Sequence, residues 1–160
     1  MYGCAFFVVP VRRANDEHRE SLMLEEGHIL IVEDEAIIRF TMVSQFQKKG
    51  FRVSEAGSGI YALDIVMKSL RTVFPITAMI TDYMMPKMSG LELIQALRVR
   101  NIMIPIVILT GFPEECRLSL HTHSGIRVRA KPCHFDELIN ELGQLVNDHN
   151  QTIPCNEKHG

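Results

Sequence analysis

The sequence predicts an α/β domain built on a five-stranded, mostly parallel sheet, doubly wound with helices on both faces. Two observations carry that expectation. Short β-branched apolar runs alternate five times with helical stripes, the pattern of chained strand–helix units. Each of four runs is also closed by a residue able to do chemistry: Glu33-Asp34, Asp82, Thr110 and Lys131. In such folds the carboxyl ends of the strands meet at one sheet edge.

The first strand is expected at about 28–32, over His28-Ile-Leu-Ile-Val32. Its helix, about 35–49, repeats Ile38, Met42 and Phe46 every four residues and ends at Gly50, where a left-handed cap suits glycine. A second strand, about 51–55, leads through Gly57-Ser-Gly59 into a helix carrying Ala62, Ile65, Val66 and Leu70. The third strand, about 76–81, ends at Asp82, and a helix follows Gly90 with Leu91, Ile94 and Leu97 inward. Pro105 opens the fourth strand, about 104–109. Pro113 suits the first turn of the next helix, with Glu114 and Glu115 beside its positive end. The fifth strand, about 126–130, precedes a last helix with Phe135, Leu138, Ile139, Leu142, Leu145 and Val146 inward.

A length of 160 residues suits one domain, here 28–148, between tails at 1–27 and 149–160. Either translation is expected to begin at Met23 or the tail 1–22 is expected to be dispensable for folding. A net charge of −2 gives no global attraction for nucleic acid or an anionic membrane. No apolar run approaches the roughly 18 residues that span a bilayer. Arg12 and Arg13 follow the apolar start instead of preceding it, the wrong order for a secretory signal, so a cytoplasmic location is expected. Cys4, Cys116, Cys133 and Cys155 are too scattered for a zinc or disulfide framework. His121-Thr-His123 suits a wet helix end better than a metal.

Each strand-end residue has a plain structural use. Glu33-Asp34 can cap the following helix, Asp82 can form a turn, Thr110 favours strands, and Lys131 suits any surface. Gathered at one edge they make a different proposition. Crowded carboxylates repel unless something cationic sits between them. Adjacent Glu33 and Asp34 suit a hard cation such as Mg²⁺. Beside a metal, Asp82 can attack phosphorus and become an aspartyl phosphate. Thr110 can donate to a phosphoryl oxygen, and Lys131 is a fixed countercharge. The Lys131-Pro132 bond is a candidate cis peptide.

These segments resemble the response regulator receiver domain of two-component signalling. The resemblance rests on Ile29-Leu-Ile-Val-Glu-Asp-Glu35, Ile80-Thr-Asp-Tyr-Met-Met-Pro86 with Gly90, Ile106-Val-Ile-Leu-Thr-Gly111 and Arg129-Ala-Lys-Pro132, and spans about 28–147. It implies a flavodoxin-like fold and a phosphoacceptor at Asp82. It also implies Mg²⁺ held by Glu33, Asp34, Asp82 and the backbone carbonyl of Met84, with Thr110 as switch hydroxyl and Lys131 contacting the phosphoryl group. The implied partners are a histidine kinase or a histidine phosphotransfer protein. The implied assembly is a monomer, or a weak homodimer through the fourth helix, fifth strand and fifth helix. The chain is then a signalling phosphoacceptor and not a turnover enzyme. No output domain is expected after the last helix.

Val128 stands where the family usually has Tyr or Phe, which puts the aromatic half of its switch in doubt. Cys133 stands where Phe commonly follows Lys-Pro. Met84 and Phe112 are apolar, and are expected to hinder water at a phosphoryl group on Asp82. Ile37, Ile38, Phe40 and Thr41 cover too much of the first helix for one core stripe, which suggests docking or packing against a tail. Rival readings are a pseudo-receiver that binds without being phosphorylated, and an Mg²⁺-dependent phosphatase of haloacid-dehalogenase type. The latter needs Asp-x-Asp-x-Thr after the first strand, where this chain has Glu33-Asp-Glu-Ala-Ile37.

Overall fold

The structure, a computed structural model, describes residues 27–120 and 124–152. The expectations for 1–26, for His121-Thr-His123 and for Cys155 lie outside those residues. Ten elements alternate in the described chain: β1 His28–Val32, α1 Ala36–Lys48, β2 Arg52–Ala56, α2 Gly59–Ser69, β3 Ala78–Asp82, α3 Gly90–Arg98, β4 Ile106–Thr110, α4 Pro113–Leu120, β5 Ile126–Ala130 and α5 Phe135–Thr152. The strands form one parallel sheet in the order β2-β1-β3-β4-β5.

Strand alternation divides the core in two. Leu30, Val32, Met79, Ile106 and Ile108 face one layer, with Ala62 and Val66 of α2, Leu93 and Leu97 of α3, and Cys116 of α4. Ile29, Ile31, Ile80 and Val107 face the other, with Phe46 of α1 and Leu138 and Leu142 of α5. Phe46 anchors the second layer by edge-on contacts to Phe51 at 5.4 Å and Phe135 at 4.8 Å. Both faces of the sheet are therefore covered, which is why the strands read as continuous apolar runs.

Several boundaries differ from expectation. β3 begins at Ala78 and includes Asp82, and β4 begins at Ile106 and includes Thr110. Apolarity upstream of both strands reflects burial and not pairing: Ile76 is 1% exposed yet precedes the ladder. α5 runs to Thr152, four residues past the expected domain end at 148. Gly50 does end α1 with φ +91°, and the Phe51 N–H reaches back to the Phe46 carbonyl at 3.2 Å.

Two helix starts are fixed by side chains. Ser58 caps α2. Ser89 and Glu92 form a reciprocal capping box on α3, a signal present in the text Ser89-Gly-Leu-Glu92. No helix among the described residues is long and apolar enough to cross a membrane.

Candidate functional site

The sheet order places β1 between β2 and β3, so the chain steps to one side of β1 and then returns to the other. That is a switch point, where a crevice opens beyond the strand ends. Glu33 and Asp34 follow β1, Asp82 ends β3, Thr110 ends β4, and Lys131 follows β5. Glu33, Asp34 and Asp82 each bring one carboxylate oxygen within 4.8 Å of the others. Lys131 Nζ donates to Glu33 Oε2 and to Asp82 Oδ2, each at 2.9 Å. Residues separated by about a hundred positions thus share one cluster, as the strand-end pattern anticipated.

Burial decides the electrostatics. The Glu33 side chain is 2% exposed and that of Asp82 12%, while Asp34 is exposed. Loss of water raises the Glu33 pKa above its ordinary value, and the hydrogen bond and charge of Lys131 only partly oppose this. Burial by itself would lower the Lys131 pKa. The hydrogen bonds and charges of Glu33 and Asp82 outweigh it, so that pKa is raised.

The cluster suits a hard divalent cation. Its donors are all oxygens, and three carboxylates face a single ammonium. Magnesium ligands at about 2.1 Å lie at most roughly 4.2 Å apart across the ion, so only a small inward rotation would bring these oxygens into range. Glu33, Asp34 and Asp82 are the side chains able to hold such an ion.

The loop after β3 is shaped around Asp82. The Met84 N–H donates to Asp82 Oδ1 at 3.3 Å, and the Gly90 N–H returns to the Tyr83 carbonyl at 3.0 Å. Lys87 takes a left-handed φ of 70° to make the bend. A Cβ at Gly90 would stand 2.4 Å from the Asp82 carbonyl oxygen, so the loop closes only over a glycine there.

Thr110 is buried. Its hydroxyl oxygen accepts the Phe112 N–H at 3.0 Å, and its carbonyl accepts the Lys131 N–H at 2.8 Å. The Lys131-Pro132 peptide is cis. Met84 and Phe112 are 63% and 60% exposed, with Ile37 at 82% and Phe40 at 72%. Val128 is half-buried, pairs with Ile108 and packs against the first core layer. Cys116 is buried and Cys133 half-buried; neither is in a disulfide.

Sequence reasoning missed Arg39. Its Nη1 donates to the Glu33 carbonyl at 2.7 Å, and its Nε to Glu55 at 3.1 Å. The only available signal was a lone cation one turn into α1, opposite an acid on β2.

Five parallel strands with this acidic crevice at the switch point define a doubly wound α/β domain bearing a candidate cation site. The comparisons agree. The family model described as response regulator receiver domain matches residues 29–143, and the chain belongs to that family. It is 31% identical over 111 residues to sporulation initiation phosphotransferase F of Bacillus subtilis, covering 69% of this chain and 86% of that protein. Among solved structures, the receiver domain from the hybrid histidine kinase CckA matches with TM-score 0.63 and 27% identity, over 75% of this chain and 99% of that one. The response regulator protein TrrA from Thermotoga maritima, solved in complex with Mg²⁺–BeF, matches with TM-score 0.61 and 28% identity, over 74% and 98%.

Proposed function

We propose that this chain is a phosphorylation-dependent signalling switch whose phosphoacceptor is Asp82. One observation carries the reading: the Lys131 ammonium bridges Glu33 and Asp82 at 2.9 Å each, so the ends of β1, β3 and β5 converge on a single charged pocket. An Asp82 carboxylate oxygen attacks the phosphorus of a donor phosphohistidine. A new O–P bond forms, the P–N bond breaks, and the bond pair stays on the imidazole nitrogen. Lys131 would hold a transferred phosphoryl oxygen, and the Thr110 hydroxyl would donate to another. Mg²⁺ at Glu33, Asp34, Asp82 and the Met84 carbonyl would offset the repulsion between an anionic donor and an anionic nucleophile. The likeness to TrrA, a response regulator solved in complex with Mg²⁺–BeF, supports that role.

The partner is a histidine kinase or a histidine phosphotransfer protein. Support comes from the likeness to a phosphotransferase and to the receiver of a hybrid histidine kinase. Exposed Ile37 and Phe40 at the start of α1 offer it an apolar landing beside the pocket. Signalling follows from the change in charge and hydrogen bonding at Thr110, passed to the α4–β5–α5 face, where a weak homodimer can form. The reading places the chain in the cytoplasm and gives it no turnover as an enzyme.

Incubation with Mg²⁺ and acetyl phosphate tests it by intact mass. Wild type is expected to gain one phosphoryl group per chain, with acetate leaving, and Asp82→Asn none. Equal labelling of both, or continued turnover of the donor far beyond the protein present, would refute it.

A further inference from the structure

We propose that Arg39 is the positioning residue of the cation pocket: it fixes the backbone of Glu33-Asp34 so that their carboxylates stay available to the metal. The proposal rests on the reading of the acidic cluster as a Mg²⁺ site. Arg39 Nη1 donates to the Glu33 carbonyl at 2.7 Å and lies 3.4 Å from that of Asp34. The Glu33 N–H is tied to the Ala56 carbonyl at 3.1 Å. Both polar ends of this residue's backbone are thus held, which sets the direction of its side chain. The other ties on this loop run to the Glu33 carboxylate, from the Lys131 ammonium at 2.9 Å and the Glu35 N–H at 3.4 Å, and Glu35 at the N-cap of α1 makes no capping bond with its side chain.

The choice of acceptor matters. A guanidinium bonded to the carboxylates would compete with the cation; bonded to carbonyls it organises the loop and leaves the ligand oxygens alone. Its charge still opposes a nearby cation. Glu55, whose Oε2 accepts from Arg39 Nε at 3.1 Å, offsets that charge from the side of β2. Gly57 supplies the space: a Cβ there would stand 3.3 Å from Arg39 Nη1 and 3.6 Å from its Cζ. Ordering of ligands by outer partners is worth about 10- to 100-fold in metal affinity.

Calorimetric titration of the full chain with Mg²⁺, beside thermal melts in EDTA, tests the proposal. Arg39→Ala is expected to weaken Mg²⁺ binding about 10-fold while the metal-free melting temperature stays close to wild type. Arg39→Lys recovers only part of the loss, because an ammonium lacks the fork that reaches the loop carbonyls and Glu55 together. Gly57→Ala presses on the guanidinium by a few tenths of an ångström, so it weakens binding less than Arg39→Ala and adds nothing in the Arg39→Ala background, since both changes act through one contact.

Unchanged affinity in Arg39→Ala, or additive effects of the two substitutions, would overturn the proposal and leave the phosphoacceptor reading standing. If Arg39→Ala does not fold, Arg39→Lys decides: wild-type affinity there overturns the proposal. A wild-type chain that binds no Mg²⁺ overturns both.

Discussion

Lys131 bridges two carboxylates of the pocket, and both depend on it. Its side chain is 29% exposed, against 2% for Glu33 and 12% for Asp82. Removing one member of a buried pair costs about 3–5 kcal/mol, and partial exposure of the lysine brings the expected cost of Lys131→Met nearer about 2 kcal/mol. Urea unfolding in EDTA measures it. Saturating Mg²⁺ should shrink the loss, because a second cation then balances the same carboxylates. The pH sense follows from the raised pKa. The contribution of Lys131 is complete below the ordinary lysine value of 10.5 and disappears as pH rises through the higher folded value. Wild-type stability should therefore fall across that interval more steeply than that of Lys131→Met. Lys131 was legible in the sequence because an ammonium directly after an apolar strand is conspicuous. Arg39 was not, because its targets are main-chain carbonyls, which every residue possesses.

Elements were legible wherever apolar periodicity and pairing coincide. β1 and β5 fall where the pattern puts them, since every apolar residue in those runs also joins the ladder. β3 and β4 start later than their runs, because Ile76 and Ile104 serve the core from the approach to the strand. The turn after β3 shows a limit of another kind. Gly90 reads as a helix start, but its requirement comes from the Asp82 carbonyl 2.4 Å from where a Cβ would sit. Gly90→Ala forces the α3 start away from the end of β3. Overpacking of this sort costs about 1–3 kcal/mol, and the upper part of that range is expected because the neighbour is backbone. Phosphorylation of the chain that remains folded should also slow, since the displaced atom belongs to Asp82, the proposed acceptor. Comparing urea midpoints with labelling rates from acetyl phosphate separates the two effects. A change in neither would mean that the loop relaxes freely.

At the scale of the molecule, alternation of strands and helices shows a parallel sheet, but only the strand order makes the pocket. With β1 between β2 and β3, the acids from two loops meet; the same elements in sequential order would put β2 between β1 and β3. That convergence stores like charge in the native state alone, so a divalent cation should bind the folded chain far better than the unfolded one. Folding stability then rises with Mg²⁺ by about 2.7 kcal/mol at a hundred times the dissociation constant. Glu33 gives this gain a pH sense. Its pKa is raised above the ordinary 4.5, so the metal-free native state holds that proton more tightly than the unfolded state. Acidification through this interval relieves the metal-free chain of a buried charge, yet protonates a ligand that Mg²⁺ requires. Melting temperatures with Mg²⁺ and with EDTA should therefore converge as pH falls, beginning above the ordinary carboxylate range. Glu33→Gln should show a smaller Mg²⁺ gain at neutral pH and a flatter approach in acid. Parallel wild-type curves across the acid range would mean that Glu33 is not a ligand.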